Sequence, residues 1–141
     1  MTPLTLSTAN RIIEAAFEAS ASAGFKPMAV VVLDDSGYLR SAQRQDGASM
    51  FRVDVATGKA WAAVAMGASS RVLGERAASN PNFFVSLAST ADGRFLPQTG
   101  AVLVKDESGA VVGAVGASGG SGDEDEQICI AGIKAAGLDA G

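Results

Sequence analysis

The chain has no histidine among its 141 residues and a single cysteine, Cys129. The absence of histidine excludes most zinc sites, the Ser-His and Cys-His nucleophile systems and the most common haem ligand. One cysteine excludes an intrachain disulfide, and without a partner for thiol chemistry we expect a buried structural thiol. Acid–base chemistry would therefore depend on Asp, Glu, Lys or the only tyrosine, Tyr38.

Aromatic and charged residues are also scarce, at 6% and 18% of the chain, whereas 48% of the residues are hydrophobic and the net charge is −4. The eleven Lys and Arg are dispersed, so no basic stripe indicates nucleic-acid binding. No apolar run approaches the roughly eighteen residues of a membrane span, and the N-terminus lacks a signal-peptide pattern. We expect one globular, cytoplasmic domain over residues 1–141 that contacts neither nucleic acid nor membrane.

Hydrophobic spacing predicts the order helix, hairpin, helix, irregular segment, hairpin, helix. Residues 28–33 are apolar throughout, which is typical of a strand that is covered on both faces. The long second helix carries a stripe of alanine and glycine, so its packing partner should approach closely. The predicted elements are a helix from Thr5, Ser7 or Thr8 to Gly24, a hairpin of 28–33 with 38–43, a helix from about Phe51 to Ser70, a hairpin of 100–105 with 110–117, and a helix from about Asp123 to Ala136.

The last helix is apolar on two sides, with Ile128 on one stripe and Cys129 on the next. A helix of this kind is mostly buried, and a second subunit is one candidate to cover it. The strand before it, residues 111–117, contains two glycines, which indicates that another backbone lies against it.

Four short motifs occur in order along nearly the whole chain: a buried strand with an Asp-x-x-Gly turn at 28–37, Arg44-Gln45-Asp46-Gly47, Val55-Ala56-Thr57-Gly58-Lys59-Ala60, and 113–119 followed by acidic residues at 123–125. In this order they resemble the GlcG/HbpS-like family, which includes the C-terminal domain of PduO and has been called the haem-degrading domain family. The resemblance implies an α+β, profilin-like domain with an antiparallel sheet of about five strands flanked by helices. It also implies a homo-oligomer.

Some relatives bind haem or other tetrapyrroles, so the resemblance implies a small-molecule ligand and makes haem the one cofactor to consider. Because histidine is absent, Met, Tyr38, Cys129 or Lys59 would have to ligate the iron. Alternatively, Arg and Lys side chains would hold the propionates.

The segment from Gly116 to Gly122 leads into a helix that begins with Asp123, Glu124, Asp125 and Glu126. A helix N-terminus suits an anion, but these carboxylates satisfy the dipole themselves and would repel a phosphate. A self-capped helix is the first interpretation, and carboxylates acting as acid, base or metal ligand are the second. Glu124 and Asp125 are the catalytic candidates, and no metal site is predicted.

Lys59 lies beside the alanine stripe of the long helix. If it is desolvated, it could act as a base, as a Schiff-base amine or as a carboxylate clamp. The alternative is that its stem lies along the surface and its charge reaches water.

Further ligand-binding candidates are polar groups near the same helix and aromatic residues. Arg44 and Asp46 could pair across the hairpin end, and Arg52 is a cation at a helix start that suits an oxyanion. The phenylalanines and Trp61 would line a pocket or, alternatively, form core or interface. The full ligand-binding set is Arg44, Asp46, Phe51, Arg52, Phe83, Phe84, Phe95, Ser118 and Gly119.

Three functions stay open. The first is an oligomeric small-molecule-binding domain with its ligand near the long helix and the C-terminal glycine-rich loop. The second is a metal-independent lyase, isomerase or hydratase, in which Arg52 holds a carboxylate and Lys59 or an acidic residue moves a proton. The third is an assembly module without a ligand.

Overall fold

The computed structural model describes residues 3–141, which form five helices and five strands. The elements are α1 (Leu6–Ala23), β1 (Ala29–Asp34), β2 (Leu39–Arg44), α2 (Phe51–Met66), α3 (Ser70–Ser79), α4 (Pro81–Thr90), β3 (Ala101–Lys105), β4 (Val111–Ser118), α5 (Gly122–Ala135) and β5 (Asp139–Ala140).

The strands form one antiparallel sheet in the order β2-β1-β4-β3-β5. Both predicted hairpins are present, and the two are joined through β1 and β4, with Val31 opposite Gly116. The predicted fold class, an α+β domain with a five-stranded antiparallel sheet flanked by helices, is therefore confirmed. Strand β2 forms one edge of this sheet.

Two apolar layers enclose the sheet. Val30 and Val32 of β1 pack with α1 and α5, whereas Val31 and Leu33 pack with α2 on the opposite face. Because successive side chains of a strand point to opposite faces, a strand between two helical layers must be apolar at every position. This explains the uninterrupted run that predicted a strand covered on both sides.

Helix α2 approaches the sheet closely at Gly116, where a Cβ would collide with the backbone carbonyl of Ala56. The small residues predicted at this contact are thus required by the distance between the two backbones. Helix α5 packs on α1 in a similar way, because a Cβ at Gly132 would meet the Ile12 carbonyl oxygen. The apolar sides of α5 are therefore buried within the chain itself, and the expectation of a second subunit is not needed to explain them.

Two boundaries differ from the sequence prediction. Helix α2 ends at Met66 rather than Ser70, because Gly67 takes a left-handed conformation with φ 65° and closes the helix. The segment predicted as irregular contains α3 and α4, and Pro81 occupies the first turn of α4. Both helices are ten residues long, so they present too few turns for a clear periodic pattern.

Candidate functional site

The glycine-rich loop ends in a self-capped helix. The Ser121 hydroxyl accepts a hydrogen bond from the Glu124 amide at 3.2 Å, and the Glu124 carboxylate accepts one from the Ser121 amide at 2.9 Å. This reciprocal capping box satisfies amides that an anion would otherwise use. The geometry agrees with the first interpretation of this segment, and Glu124 is engaged with its own helix.

Lys59 and Asp125 form an ion pair between α2 and α5, with Nζ 3.0 Å from Oδ2. The lysine Nζ also donates to the Ala117 carbonyl oxygen at 3.1 Å, and the other carboxylate oxygen accepts from the Gly120 amide at 3.0 Å. Lys59 is 3% exposed and Asp125 is 2% exposed. The alternative in which the Lys59 charge reaches water is therefore wrong.

The surroundings of this pair leave little room for a ligand. A Cβ at Gly100 would lie 2.6 Å from the Lys59 Nζ, so this backbone covers the ammonium group directly. Across residues 3–141, every buried side-chain nitrogen and oxygen has a hydrogen-bond partner. The ion pair connects α2 to the loop around Gly120, because Asp125 binds both Lys59 and the Gly120 amide. Proton transfer from either side chain to a substrate would require this ion pair to break.

Arg52 and Ser118 lie together near this loop. The Arg52 guanidinium is half-buried and approaches the Ser118 hydroxyl at 3.5 Å, the outer limit of a hydrogen bond. Ser118 is buried at the end of β4, and Gly119 packs its backbone against Pro27 and Met28. The predicted loop residues are thus close to Arg52, on the side of α2 that carries Lys59.

Arg44 and Asp46 do not form the expected pair across the hairpin end. Arg44 Nη1 instead donates to the Ala48 carbonyl oxygen at 2.6 Å, and of the ion pairs within the described part of the chain none joins Arg44 to Asp46. A backbone carbonyl four residues on is in easier reach because the turn brings it back toward the strand. Both side chains border a shallow depression beside α1.

The four candidate phenylalanines do not converge on one cavity. Phe84 and Phe95 are buried against each other, with ring centroids 6.0 Å apart, in a small core below α3 and α4. Phe83 packs edge-on against Phe84 and is half exposed. Phe51 is 64% exposed at the start of α2. Two of the four are thus core residues, which is the alternative interpretation given for the set.

A groove of about 640 Å³ lies between α2 and the uncovered face of β2. Its size falls within the range of small-molecule sites. The indole of Trp61 forms part of the wall, and the Arg94 guanidinium carbon lies 4.7 Å from the indole centroid. The remaining lining residues come from β1, the β1–β2 turn, β2, α2 and the segment after α4: Leu33, Ser36, Gly37, Tyr38, Leu39, Ala42, Val53, Asp54, Thr57, Gly58 and Gly93.

The groove is open because β2 extends the sheet beyond the cover of α2. Tyr38 is 73% exposed and Leu39 is 64% exposed, although both are large apolar side chains. Of the groove's polar groups, the Tyr38 hydroxyl, the Asp54 carboxylate and the Trp61 indole N–H make no hydrogen bond to any residue from 3 to 141. Arg94 donates only through Nε, to the Ala91 carbonyl oxygen at 2.9 Å.

Sequence reasoning did not assemble this groove. The sequence places Trp61 only with the phenylalanines, and Tyr38 only as an acid–base group or as one of four candidate iron ligands. Arg94 lies in the segment that was predicted as irregular. The available signal was the adjacent pair Tyr38-Leu39 directly after a tight turn, since two large apolar residues there need either a partner or a ligand.

The comparisons with known proteins agree with this fold. The family model described as haem degrading protein HbpS-like matches residues 4–134. The chain belongs to the HbpS-like family. The predicted resemblance is thereby confirmed, and a comparison with curated proteins found no match.

Solved structures resemble this HbpS-like chain over nearly its whole length. PduOC, solved as a complex with haem, is 26% identical with a TM-score of 0.85, covering 99% of this chain and 98% of that one. A double mutant of HbpS from Streptomyces reticuli is 33% identical with a TM-score of 0.81, covering 95% and 87%. The ORFY protein of Klebsiella pneumoniae shares the fold, at 22% identity, a TM-score of 0.86 and coverage of 97% and 93%.

None of the helices in residues 3–141 has the length and hydropathy of a membrane span. In the same residues, no three His, Cys, Asp or Glu side chains come together as a group that could hold a metal ion.

Proposed function

We propose that this HbpS-like chain binds haem, or a closely related planar tetrapyrrole with carboxylate groups, in the groove between α2 and β2. The observation that carries the proposal is the Trp61 wall with the Arg94 guanidinium above it. Membership of the HbpS-like family and the similarity to PduOC, which was solved with haem, support this choice of ligand.

The residues of the groove fit the chemistry of haem. The macrocycle is flat and apolar, and the aromatic and aliphatic side chains of Trp61, Leu39 and Val53 offer surface of the same character. The two propionates need a cation, and the guanidinium of Arg94 retains both terminal nitrogens for a carboxylate. The Asp54 carboxylate on α2 would repel a propionate, so the haem propionates should point toward Arg94.

The groove is preferred over the region of Lys59, Arg52 and the glycine-rich loop. That region offers buried groups that already hold one another: Lys59 is bound to Asp125, and Ser118 is closed to solvent. A ligand there would have to displace hydrogen bonds whose loss leaves buried polar atoms unsatisfied. The groove requires less exchange, because the Tyr38 hydroxyl, the Asp54 carboxylate and the terminal nitrogens of Arg94 make no hydrogen bond to any residue from 3 to 141.

Titration with ferric haem tests the proposal directly. Trp61 is the only tryptophan, so quenching of its fluorescence, corrected for haem absorbance, reports haem binding to the chain. We expect saturable quenching together with a shift of the Soret band. Absence of both at a stoichiometric concentration of haem would remove haem from consideration.

The variant Arg94→Gln tests whether haem binds in this groove. Its matched control is Arg76→Gln, which removes an exposed arginine of α3 outside the groove. Loss of a charge-assisted hydrogen bond should weaken haem binding by about tenfold in the first variant. The control should bind like the parent chain. Equal affinity of all three proteins would place the ligand elsewhere.

Self-association is a second part of the proposal. Met50 and Phe51 are adjacent, exposed and apolar at the start of α2, and a second copy of the chain is the partner that the family resemblance implies. The double substitution Met50→Ser with Phe51→Ser should shift the molar mass measured by light scattering toward the monomer. A parent chain that is monomeric at micromolar concentration would end this part of the proposal.

A further inference from the structure

The absence of histidine makes the identity of the iron ligand a question for this chain. Haem iron in proteins is held by His, Cys thiolate, Met or Tyr side chains. The cysteine can be set aside, because burial raises the pKa of Cys129 far above its usual range and the nearby Asp125 raises it further. Its thiol also lies inside the core, 3.7 Å from the Gly100 carbonyl oxygen, and not at any surface.

The methionines and the lysine considered from the sequence lie away from the groove. Met28 is fully buried, and neither Met50 nor Met66, near the two ends of α2, is among the groove-lining residues. Met1 lies outside the described residues. Lys59 is bound to Asp125 inside the protein and is not among the groove-lining residues.

Tyr38 is the one groove-lining side chain that belongs to the known haem ligands. Its backbone is fixed at the end of the β1–β2 turn: its amide donates to the Asp34 carboxylate at 3.0 Å, and its carbonyl oxygen accepts from the Asp34 amide at 2.8 Å. The side chain is mostly exposed, and its hydroxyl has no partner in residues 3–141. The backbone hydrogen bonds fix where the side chain starts, and the unpaired hydroxyl is free to meet a ligand in the groove.

We infer that the Tyr38 hydroxyl oxygen is the axial ligand of ferric haem bound in this groove. The inference rests on the proposed function, because it concerns the same groove and the same ligand. When such a haem is bound, the phenol would give up its proton to solvent and its oxygen would replace a water or hydroxide as the group that holds the iron. The iron stays ferric throughout, so no oxidant or reductant takes part.

The charges around Tyr38 suit this assignment only when the iron is present. Asp54 is the groove carboxylate that would oppose a phenolate, whereas Arg94 is the groove cation that would favour one. The ferric centre supplies the additional positive charge that a phenolate requires. Metal-free protoporphyrin lacks that charge, so it should bind through Trp61 and Arg94 without using the phenolate.

The test compares the parent chain with Tyr38→Phe, using ferric haem and metal-free protoporphyrin IX as probes. Tyr38 is the only tyrosine, so a phenolate-to-iron charge-transfer band and phenolate modes in resonance Raman spectra can come from this residue alone. We expect both signatures in the parent chain and neither in the variant. Haem affinity should fall by at least about tenfold in the variant, whereas protoporphyrin affinity should stay within about twofold.

The possible failures are distinguishable. If the parent chain binds neither probe, the proposed function fails and the inference fails with it. If the parent chain binds both probes without phenolate signatures, or if Tyr38→Phe keeps the haem spectrum and affinity of the parent, haem binding stands and the Tyr38 assignment is overturned. The exposed ring should not affect folding, and equal melting temperatures of the two proteins check this.

Discussion

Helix α2 separates two polar regions that differ in what they leave free. On one side, Lys59 and Asp125 are closed to solvent and bound to each other and to the loop backbone. On the other side, Trp61 and Arg94 border an open groove whose polar groups are mostly unpaired within the described residues. A buried charged residue is often interpreted as functional, but here Lys59 and Asp125 already use their hydrogen bonds on each other and on the backbone.

The difference favours the groove in the proposal, because hydrogen-bonding groups that are unpaired at a surface can be satisfied by a ligand. A buried ion pair with all its partners is costly to disturb and gains nothing from a ligand. A half-buried indole beside a guanidinium whose terminal nitrogens are unpaired loses little in the unbound state and can gain hydrogen bonds when a carboxylate binds. Substitutions on the two sides should therefore separate stability from binding.

The largest effect is expected at the buried pair. Lys59→Met leaves the Asp125 carboxylate buried without its cation, so the free energy of unfolding should fall by about 3–5 kcal/mol, measured by urea denaturation. The double variant Lys59→Met with Asp125→Leu removes both charges and should recover much of this loss. A single variant within about 1 kcal/mol of the parent chain would show that the pair does not hold the loop.

The next effect concerns the close contact of α2 with the sheet. Gly116→Val places a side chain against the Ala56 carbonyl, and overpacking of this kind costs about 1–3 kcal/mol or more. Its matched control is Ala42→Val on β2, which faces the open groove and should change the free energy of unfolding by less than about 0.5 kcal/mol. Equal melting temperatures for the two variants would contradict the prediction that α2 is tightly packed on the sheet at Gly116 and loosely packed where it borders the groove.

The sequence predicted the architecture well because local patterns determine it. The apolar run of β1, the turn at Asp34–Gly37 and the small residues of α2 each point to one structure, and the sheet follows from joining them. The short helices α3 and α4 escaped prediction because Phe83, Phe84 and their neighbours are apolar without a regular period.

The site was less predictable because its parts are distant in the sequence. Lys59 stood out as a lysine among alanines, but its partner Asp125 lies 66 residues further on, and only the packing of α5 under the sheet brings them together. The groove combines a turn, a helix and Arg94 from a region without a readable pattern. No local rule indicates that these three segments share a surface.

On the groove side, substitutions should change binding while leaving stability nearly unaltered. Arg94→Gln removes one partly exposed cation–aromatic contact, so the free energy of unfolding should fall by no more than about 1 kcal/mol, while haem affinity falls as described above. Leu39→Ser, which removes an exposed apolar side chain, should behave in the same way. Thermal melts and haem titrations on the same samples check this, and a large loss of stability in either variant would show that the groove belongs to the folded core.

The smallest effect concerns the buried thiol of Cys129, which lies near Lys59 and Asp125. Its rate of chemical labelling measures how often that region opens, without any substitution there. Because burial raises its pKa, the thiol carries almost no reactive thiolate at pH 8, and iodoacetamide should modify it only when the surrounding structure opens. Lys59→Met weakens that region and should accelerate labelling, followed by mass spectrometry of the intact protein. Arg94→Gln should leave the rate unchanged because it acts on the opposite side of α2. Rapid labelling of the parent chain, or equal acceleration by both variants, would mean that the two sides open together and that the separation made by α2 does not hold in solution.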